Sequence, residues 1–305
     1  MTEAAAEKAR QGLMREALAD VLLDRAVWTN ARLTAGRQHG VDLHEETITQ
    51  DLLLDIARAL PDLQIKTYTR AQEARIGGDW QWDWWFGGYR WFGLRLQAKR
   101  LKRIRRKVLG YDLGYRVGAR RTRQVDLLTE GARRDSMDAA YVLYNGPDLD
   151  LRFDWVCHRL PASAPFFGVS ILPAEVARQL ADANTRDLTT VAGHARPWSC
   201  LATCPLGGCT NQGPWRRWPP DDWPDGVERD LAEQVAASFH RIAMQSRYRQ
   251  DWGPQQEQQL YQRVQAATTP DRSQYIHQLL ETGNIAAAPR QVMAVTIFDE
   301  TRRRA

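Results

Sequence analysis

Two adjacent stretches of alternating residues, 78–86 and 89–100, constrain the fold of this 305-residue chain more than any other feature. Alternation of apolar and polar side chains is typical of a β-strand that turns one face toward a core. The apolar face carries Trp80, Trp82, Trp84, Leu94, Leu96 and Ala98, and the polar face carries Asp79, Gln81, Asp83, Arg95, Gln97 and Lys99. A bend at Gly87-Gly88 places Asp79 opposite Gln97, to within about one residue. The sequence therefore predicts a hairpin that gathers an acid, an amide and a lysine on one side.

Helical and strand-like periodicities alternate over residues 3–182, which predicts an α/β fold in which helices flank a mixed β-sheet. Beside the hairpin, we expect strands at 63–69, 138–144 and 166–172, and helices at 3–36, 43–60, 122–134 and after Pro173. Beyond residue 182, a connector rich in Gly, Pro and Trp precedes expected helices at 226–249, 254–267 and 271–281 and a last strand at 291–298 that returns to a sheet edge. The chain thus divides into a helical extension (1–40), a core (41–182) and a connector with C-terminal helices (183–305).

Composition favours a globular cytoplasmic protein. Hydrophobic residues make up 43% and charged residues 26%, which is ordinary for such proteins. There is no apolar run of membrane-spanning length and no signal peptide at the start. Four cysteines are too few for a disulfide scaffold and fit a reducing compartment.

Positive charge is concentrated in one segment. The net charge is +5, yet residues 95–123 alone contain twelve Lys or Arg and a single acid, Asp112. Such a concentration favours a polyanionic partner, nucleic acid first, over a merely solvated basic loop. The residues expected to contact it are Arg100, Lys102, Arg103, Arg105, Arg106 and Lys107, with Gln124 on the following helix.

Glu45 and Glu46 open the second expected helix and have two interpretations. Helical spacing places Glu45 near the middle of the apolar face and Glu46 nearer its edge, and a carboxylate on a buried face needs a cation. Alternatively, both acids only complement the helix dipole in the first turn. The tryptophans of residues 80–91 are likewise either core residues, which we favour, or surfaces that stack bases.

Three motifs in this order resemble the PD-(D/E)XK (restriction-endonuclease-like) nuclease superfamily: HEETIT (44–49), GGDW (77–80) and LQAK (96–99). Gln in place of Glu in the last motif is similar to the Mrr-like, type IV restriction branch. The resemblance covers about residues 43–172, and the same motifs resemble an uncharacterised bacterial family of predicted nucleases over most of the chain. It implies a restriction-endonuclease-like sheet and Mg²⁺- or Mn²⁺-dependent hydrolysis of DNA in defence against foreign DNA.

The resemblance also implies roles for individual residues. Asp79 corresponds to the central metal-binding aspartate, Gln97 to the second ligand, and Glu45, favoured over Glu46, to the helix glutamate. Lys99 corresponds to the lysine that positions the attacking water. Gln124 is a candidate for orienting Lys99 or a phosphate. Because Gln97 brings no charge, the resemblance also implies a weakened metal site.

A second constellation lies in the connector and consists of His194, Cys200, Cys204 and Cys209. Four such ligands suit zinc, but the gaps between these cysteines are longer than in common zinc sites. We therefore favour buried free cysteines.

Two other functions remain open. The fold could be a nucleic-acid-binding module with little or no turnover, or an interaction protein of a defence system that docks an acidic partner. DNA is favoured over RNA as the ligand. Cutting both strands of a duplex would favour a homodimer.

Overall fold

The computed structural model describes residues 3–60, 63–67, 81–105, 108–117, 121–147, 163–203, 231–245, 254–271, 273–284 and 292–299. Its strands, in chain order, are β1 (Gln64–Thr67), β2 (Gln81–Gly87), β3 (Trp91–Arg100), β4 (Lys102–Arg105), β5 (Val108–Gly110), β6 (Arg116–Val117), β7 (Thr122–Arg123), β8 (Asp138–Tyr144), β9 (Val169–Pro173), β10 (Arg196–Pro197) and β11 (Val292–Asp299).

The helices begin with α1 (Glu3–Gln38), α2 (Glu45–Ala59) and α3 (Gln124–Arg134), and a 3₁₀ turn (Ala164–Phe167) precedes β9. They continue with α4 (Ala174–Asp182), α5 (Leu188–His194), α6 (Cys200–Thr203), α7 (Leu231–Gln245), α8 (Pro254–Ala267) and α9 (Gln274–Thr282).

Seven strands form one mixed sheet in the order β1-β11-β2-β3-β8-β9-β10. β11 runs parallel to β2, and β3 runs parallel to β8, while the other neighbours are antiparallel. The expected α/β class, a mixed sheet flanked by helices, is confirmed. The basic segment after β3 contains two short antiparallel ribbons, β4 with β5 and β6 with β7.

The sheet carries an apolar cluster on each face, and helices cover both. One cluster contains Trp82, Trp84 and Leu96 and packs against α1, α2 and α7. The opposite cluster contains Trp85 and Tyr141, together with apolar residues of α3, α4, α5 and α9. The alternation correctly separates the face of Trp82 and Trp84 from the face of Asp83. The face expected to be polar is buried as well, because it also carries Trp85 and packs against the second cluster. Trp82, Trp84, Trp85 and Trp91 are core residues, whereas Trp80 lies outside the described residues.

The hairpin register differs from the expected one. β2 ends at Gly87, which pairs with Trp91, so the bend uses residues 88–90 rather than Gly87-Gly88. Gln97 consequently pairs with Gln81, and the expected pairing of Asp79 with Gln97 is wrong. The error arises because alternation fixes which face a residue occupies, but the bend decides which residues pair.

The last strand forms as expected, but its expected position at a sheet edge is wrong. β11 lies between β1 and β2, inside the sheet. Trp82 Nε1 donates a hydrogen bond of 2.7 Å to Thr296 Oγ1, which ties β11 to the hairpin. The C-terminal segment therefore completes the sheet that carries the candidate site.

Candidate functional site

A pocket of about 620 Å³ lies where β3 ends. The first turn of α2 borders it from one side of the sheet, and the first residue of α3 borders it from the other. Glu45, Gln97, Lys99 and Gln124 all line it, so the described part of the predicted site converges on one cavity. Asp79 lies outside the described residues.

Glu45 is fixed at the pocket by the strand itself. The backbone N–H of Arg100 donates a hydrogen bond of 2.7 Å to Glu45 Oε1, which joins α2 to the end of β3. One turn further along α2, the hydroxyl of Thr49 is 2.7 Å from that of Tyr144, whose pKa is raised by burial. Glu46 also lines the pocket but is exposed to solvent. Glu45 is therefore the better anchored of the two predicted ligands, although both acids also lie where the helix dipole favours them.

Gln97 brings an unsatisfied oxygen to the pocket wall. Gln97 is only 4% exposed, and within the described parts of the chain its Oε1 atom has no hydrogen-bond partner. A buried amide oxygen without a partner costs free energy unless a donor, a water or a cation satisfies it. The side chain thus presents an acceptor to whatever the pocket holds.

Lys99 is held by two tyrosine rings. The ammonium nitrogen lies 5.4 Å from the ring centre of Tyr115 and 5.9 Å from that of Tyr141, within the range of a cation–π interaction. Lys99 is only 8% exposed, and Tyr141 is fully buried. These contacts restrict the side chain of Lys99 and hold its ammonium group at the pocket.

Gln124 enters the pocket at the first position of α3. It is buried, and its backbone N–H donates a 2.9 Å hydrogen bond to the carbonyl of Tyr115. This bond couples the start of α3 to the segment that supplies one of the rings against Lys99. Gln124 therefore lines the same pocket as Lys99, and its role in orienting Lys99 or a phosphate stays a prediction.

Sequence reasoning missed Tyr115, Tyr141 and Asp112, which also shape the site. Asp112 lines the pocket and forms ion pairs with Lys102 at 3.6 Å and with Arg186 at 3.8 Å. The strand pattern over 138–144 marked Tyr141 as a buried strand residue, but only the β3–β8 register shows that it faces Gln97. Asp112 stands out in the sequence as the single acid of residues 95–123, but that pattern assigns it no role, and no local signal distinguishes Tyr115.

The hairpin holds a second acid away from the pocket. Asp83 and Arg95, both fully buried, form a two-bond ion pair at 2.7 Å, and Tyr275 donates a 2.6 Å hydrogen bond to Asp83. Burial alone would lower the pKa of Arg95, but the charge and hydrogen bonds of Asp83, together with Tyr275 and Asp135, raise that pKa. Asp83 therefore stabilises the hairpin, and it does not line the pocket.

The basic residues expected to contact nucleic acid differ in their surroundings. Arg100 donates hydrogen bonds to Asp42 and to the carbonyl of Leu43, and Arg100 holds the pKa of Asp42 below its usual value, mainly through the hydrogen bond. Lys102 and Arg103 are exposed. Only the backbone of Arg105 is described, and Arg106 and Lys107 lie outside the described residues.

The oxygen atoms of the described pocket residues are of the type that binds a hard cation. Mg²⁺ is coordinated in proteins by carboxylate and amide oxygens. Gln97 Oε1 is such an oxygen, and it has no hydrogen-bond partner among the described residues. Among the described residues, no three His, Cys, Asp or Glu side chains group closely enough to hold a metal. Glu45 and Gln97 would be the described ligands, and Asp79 would have to supply the missing charge.

The predicted zinc constellation is only half described. Cys200 begins α6, is fully buried and packs in the apolar cluster that contains Trp84. His194 ends α5, whereas Cys204 and Cys209 lie outside the described residues. The surroundings of Cys200 are those of a buried core cysteine.

Fold and site together define a three-layer α/β protein with a pocket of carboxylate, amide and ammonium groups at the end of a central strand. The chain belongs to a family of unknown function, DUF6615, whose profile matches residues 18–304. No curated protein and no solved structure matches the chain. Among the helices in the described parts of the chain, none has the length and apolar character that a membrane crossing requires.

Proposed function

We propose that the protein is a Mg²⁺-dependent nuclease that hydrolyses phosphodiester bonds of DNA. The observation that carries this proposal is the convergence of Glu45, Gln97 and Lys99 on one pocket at the end of β3. These residues come from the two motifs, at 44–49 and 96–99, that resemble the PD-(D/E)XK superfamily and are described in the structure. The same resemblance supports a role in defence against foreign DNA.

Each residue has a part in the proposed reaction. A water molecule attacks phosphorus and one P–O ester bond breaks, which leaves a phosphate monoester and a hydroxyl end. Lys99 positions that water and offsets the negative charge that develops on the phosphate. Gln124, at the start of the helix that packs on the same face of the sheet as Tyr141, orients Lys99 or a phosphate oxygen.

Glu45 and Gln97 would hold the metal together with Asp79, and Mn²⁺ would serve the same ligands. Bound Mg²⁺ supplies Lewis-acid polarisation of the phosphate and neutralises charge. The hydrogen bond from Arg100 N fixes the carboxylate of Glu45 before any cation arrives, which lowers the cost of ordering the ligand.

Incubation of plasmid DNA and of RNA with the purified protein tests the proposal. We expect cleavage of DNA with Mg²⁺ or Mn²⁺ and none with EDTA, and weaker or no cleavage of RNA. Cleavage that persists in EDTA, or none with any divalent cation, would rule out the proposed activity.

One observation favours a second function, a DNA-binding module of the same fold. Within the described residues, the pocket balances three acids, Glu45, Glu46 and Asp112, against three cations, Lys99, Arg100 and Lys102, and Gln97 adds no charge. A neutral site would bind Mg²⁺ weakly. Salt-sensitive DNA binding without cleavage identifies this module, because displaced counterions make phosphate contacts salt-dependent. Absence of any binding would instead favour an interaction protein.

A further inference from the structure

A second pocket, of about 360 Å³, opens beside the first and shares Arg100 and Lys102 with it. It lies between the turn that follows α1, the start of β4 and the residues that follow β8. Its volume is at the lower end of the range for small-ligand sites. The nuclease reaction described above assigns no part to this pocket.

The turn that forms one wall is fixed by hydrogen bonds. Val41 N–H donates to the carbonyl of Gly36 at 2.7 Å, and Gly40 adopts a left-handed φ of 68° that closes α1. A side chain at position 36 would come within 2.9 Å of the Val41 carbonyl, so only glycine allows this close turn. Val41 is thereby held in a defined place although it is 55% exposed.

The opposite wall is fixed as well. Asn30, a buried residue of α1, donates hydrogen bonds of 3.2 Å to the carbonyls of Asn145 and Gly146. The residues after β8 are thus tied to the helix that faces them across the pocket. A pocket with both walls fixed in advance loses little conformational entropy when it binds a ligand.

Charge separates the two pockets. The first pocket balances three acids against three cations. Two of those cations, Arg100 and Lys102, also line the second pocket, and they form ion pairs with Asp42 and Asp112. The second pocket adds the cations Arg37 and Arg103 and one acid, Asp42. Excess positive charge therefore lies beside the proposed reaction site rather than in it. An anionic group would be attracted to the second pocket first.

The second pocket also offers apolar surface, since Leu33, Val41 and Leu43 line it next to these cations. A ligand that matches both features carries a phosphate and a flat, weakly polar ring, which is the chemistry of a nucleotide. An unstacked base can pack against apolar side chains while its phosphate meets Lys or Arg.

We propose that this pocket binds an unpaired nucleotide of the substrate strand, next to the phosphate that the first pocket holds. The proposal rests on the proposed nuclease function and names its substrate class. A base inside a duplex is stacked and paired, so its face is not available to Val41. The substrate is therefore DNA with a single-stranded segment, such as an overhang or a gap, beside the cleaved bond.

Fluorescence anisotropy in EDTA tests this without cleavage. The probes are a labelled single-stranded oligonucleotide, a blunt duplex of the same sequence, and that duplex with a single-stranded overhang. We expect single-stranded and overhang DNA to bind about tenfold more tightly than the blunt duplex, the size of effect that one stacked base contributes. Arg103→Glu and Val41→Asp should remove that preference. Their matched controls are Arg133→Glu, near the far end of α3, and Leu54→Asp, an exposed leucine of α2, and both should keep it.

Equal affinity for blunt and single-stranded DNA would overturn the proposal, as would an equal effect of the variants and their controls. Cleavage by the same preparations is measured separately. Preferential single-strand binding without cleavage would support the pocket and contradict the nuclease. Cleavage with no single-strand preference would support the nuclease and contradict the pocket. Absence of all DNA binding would overturn both proposals.

Discussion

At the scale of single residues, Gln97 is the proposed ligand that would set how strongly the candidate site holds a cation. It occupies a position where a charged glutamate would contribute more, and its buried oxygen has no partner in the described parts of the chain. Sequence reasoning located this residue and Lys99, because a period of two assigns faces along a strand. It could not locate the tyrosines that hold Lys99, since they come from the segment before β6 and from β8.

Replacement of Gln97 by Glu adds one negative charge to the proposed metal ligands. We expect Gln97→Glu to lower the Mg²⁺ concentration for half-maximal cleavage by about tenfold, because ligand charge sets divalent-cation affinity. A Mg²⁺ titration of the cleavage rate measures this. Gln81→Glu is the matched control, because Gln81 is the buried cross-strand partner of Gln97 but does not line the pocket. An unchanged titration midpoint in Gln97→Glu, or an equal shift in Gln81→Glu, would contradict the assignment of Gln97 as a ligand.

At the scale of elements, the β2–β3 hairpin is stabilised by a buried ion pair that sequence reasoning did not identify. Asp83 and Arg95 appeared only as polar members of the face that carries Gln97. Their pairing follows from the register, which a bend over residues 88–90 sets. Asp135 also contacts Arg95 at 2.7 Å, from the turn after α3. The hairpin face is therefore structural at one end and part of the candidate site at the other.

Removal of one partner of this pair should be costly. We expect Asp83→Asn to lower the free energy of unfolding by about 3 kcal/mol, because Arg95 would lose its fully buried carboxylate partner and keep only the ion pair with the partly exposed Asp135. The double variant Asp83→Leu/Arg95→Met should be less destabilised than Asp83→Asn, since it leaves no buried charge. Urea denaturation monitored by tryptophan fluorescence measures both. A loss below about 1 kcal/mol for Asp83→Asn would match an exposed pair and contradict the burial described.

Tyr275 connects α9 to the same pair and should make stability depend on alkaline pH. Its pKa is raised well above the usual value, by burial first and then by Asp83. Above a pH of about 10 an unfolded tyrosine loses its proton while the folded one keeps it, so the folded state binds more protons and stability falls as pH rises. Tyr275→Phe should reduce this slope by up to about 1.4 kcal/mol per pH unit. Urea denaturation at pH 9 to 11 gives the slopes, and identical slopes in the two proteins would contradict a raised pKa.

At the scale of the whole molecule, the sheet joins strands that are far apart in the sequence. The α/β class, most elements and the face of each hairpin residue followed from local periodicity. The position of β11 did not, because an apolar strand reveals that it is buried but not which strands it pairs with. The part of the site around Asp79 lies outside the described residues, so the ligand set implied by the resemblance stays a prediction there.

A variant that ends at residue 291 tests the role of β11. Since β11 lies between β1 and β2, its loss would expose the apolar surface of both neighbours. It would also remove Thr296, which accepts the hydrogen bond from Trp82 Nε1. We expect this variant to lose the cooperative urea transition of the full chain. A truncated protein with an unchanged transition midpoint would show that the sheet does not need its C-terminal strand.

The most direct test of the central claim measures single-turnover cleavage and DNA affinity together in Lys99→Ala. We predict that the cleavage rate at saturating Mg²⁺ falls by about 10²-fold or more, as for loss of a group that stabilises transition-state charge, while the dissociation constant measured in EDTA changes by less than about threefold. Lys66→Ala, on β1, is the matched control and should cleave like the unmodified protein. A Lys99→Ala variant that cleaves at the unmodified rate would contradict the claim that the pocket at the end of β3 is a nuclease site.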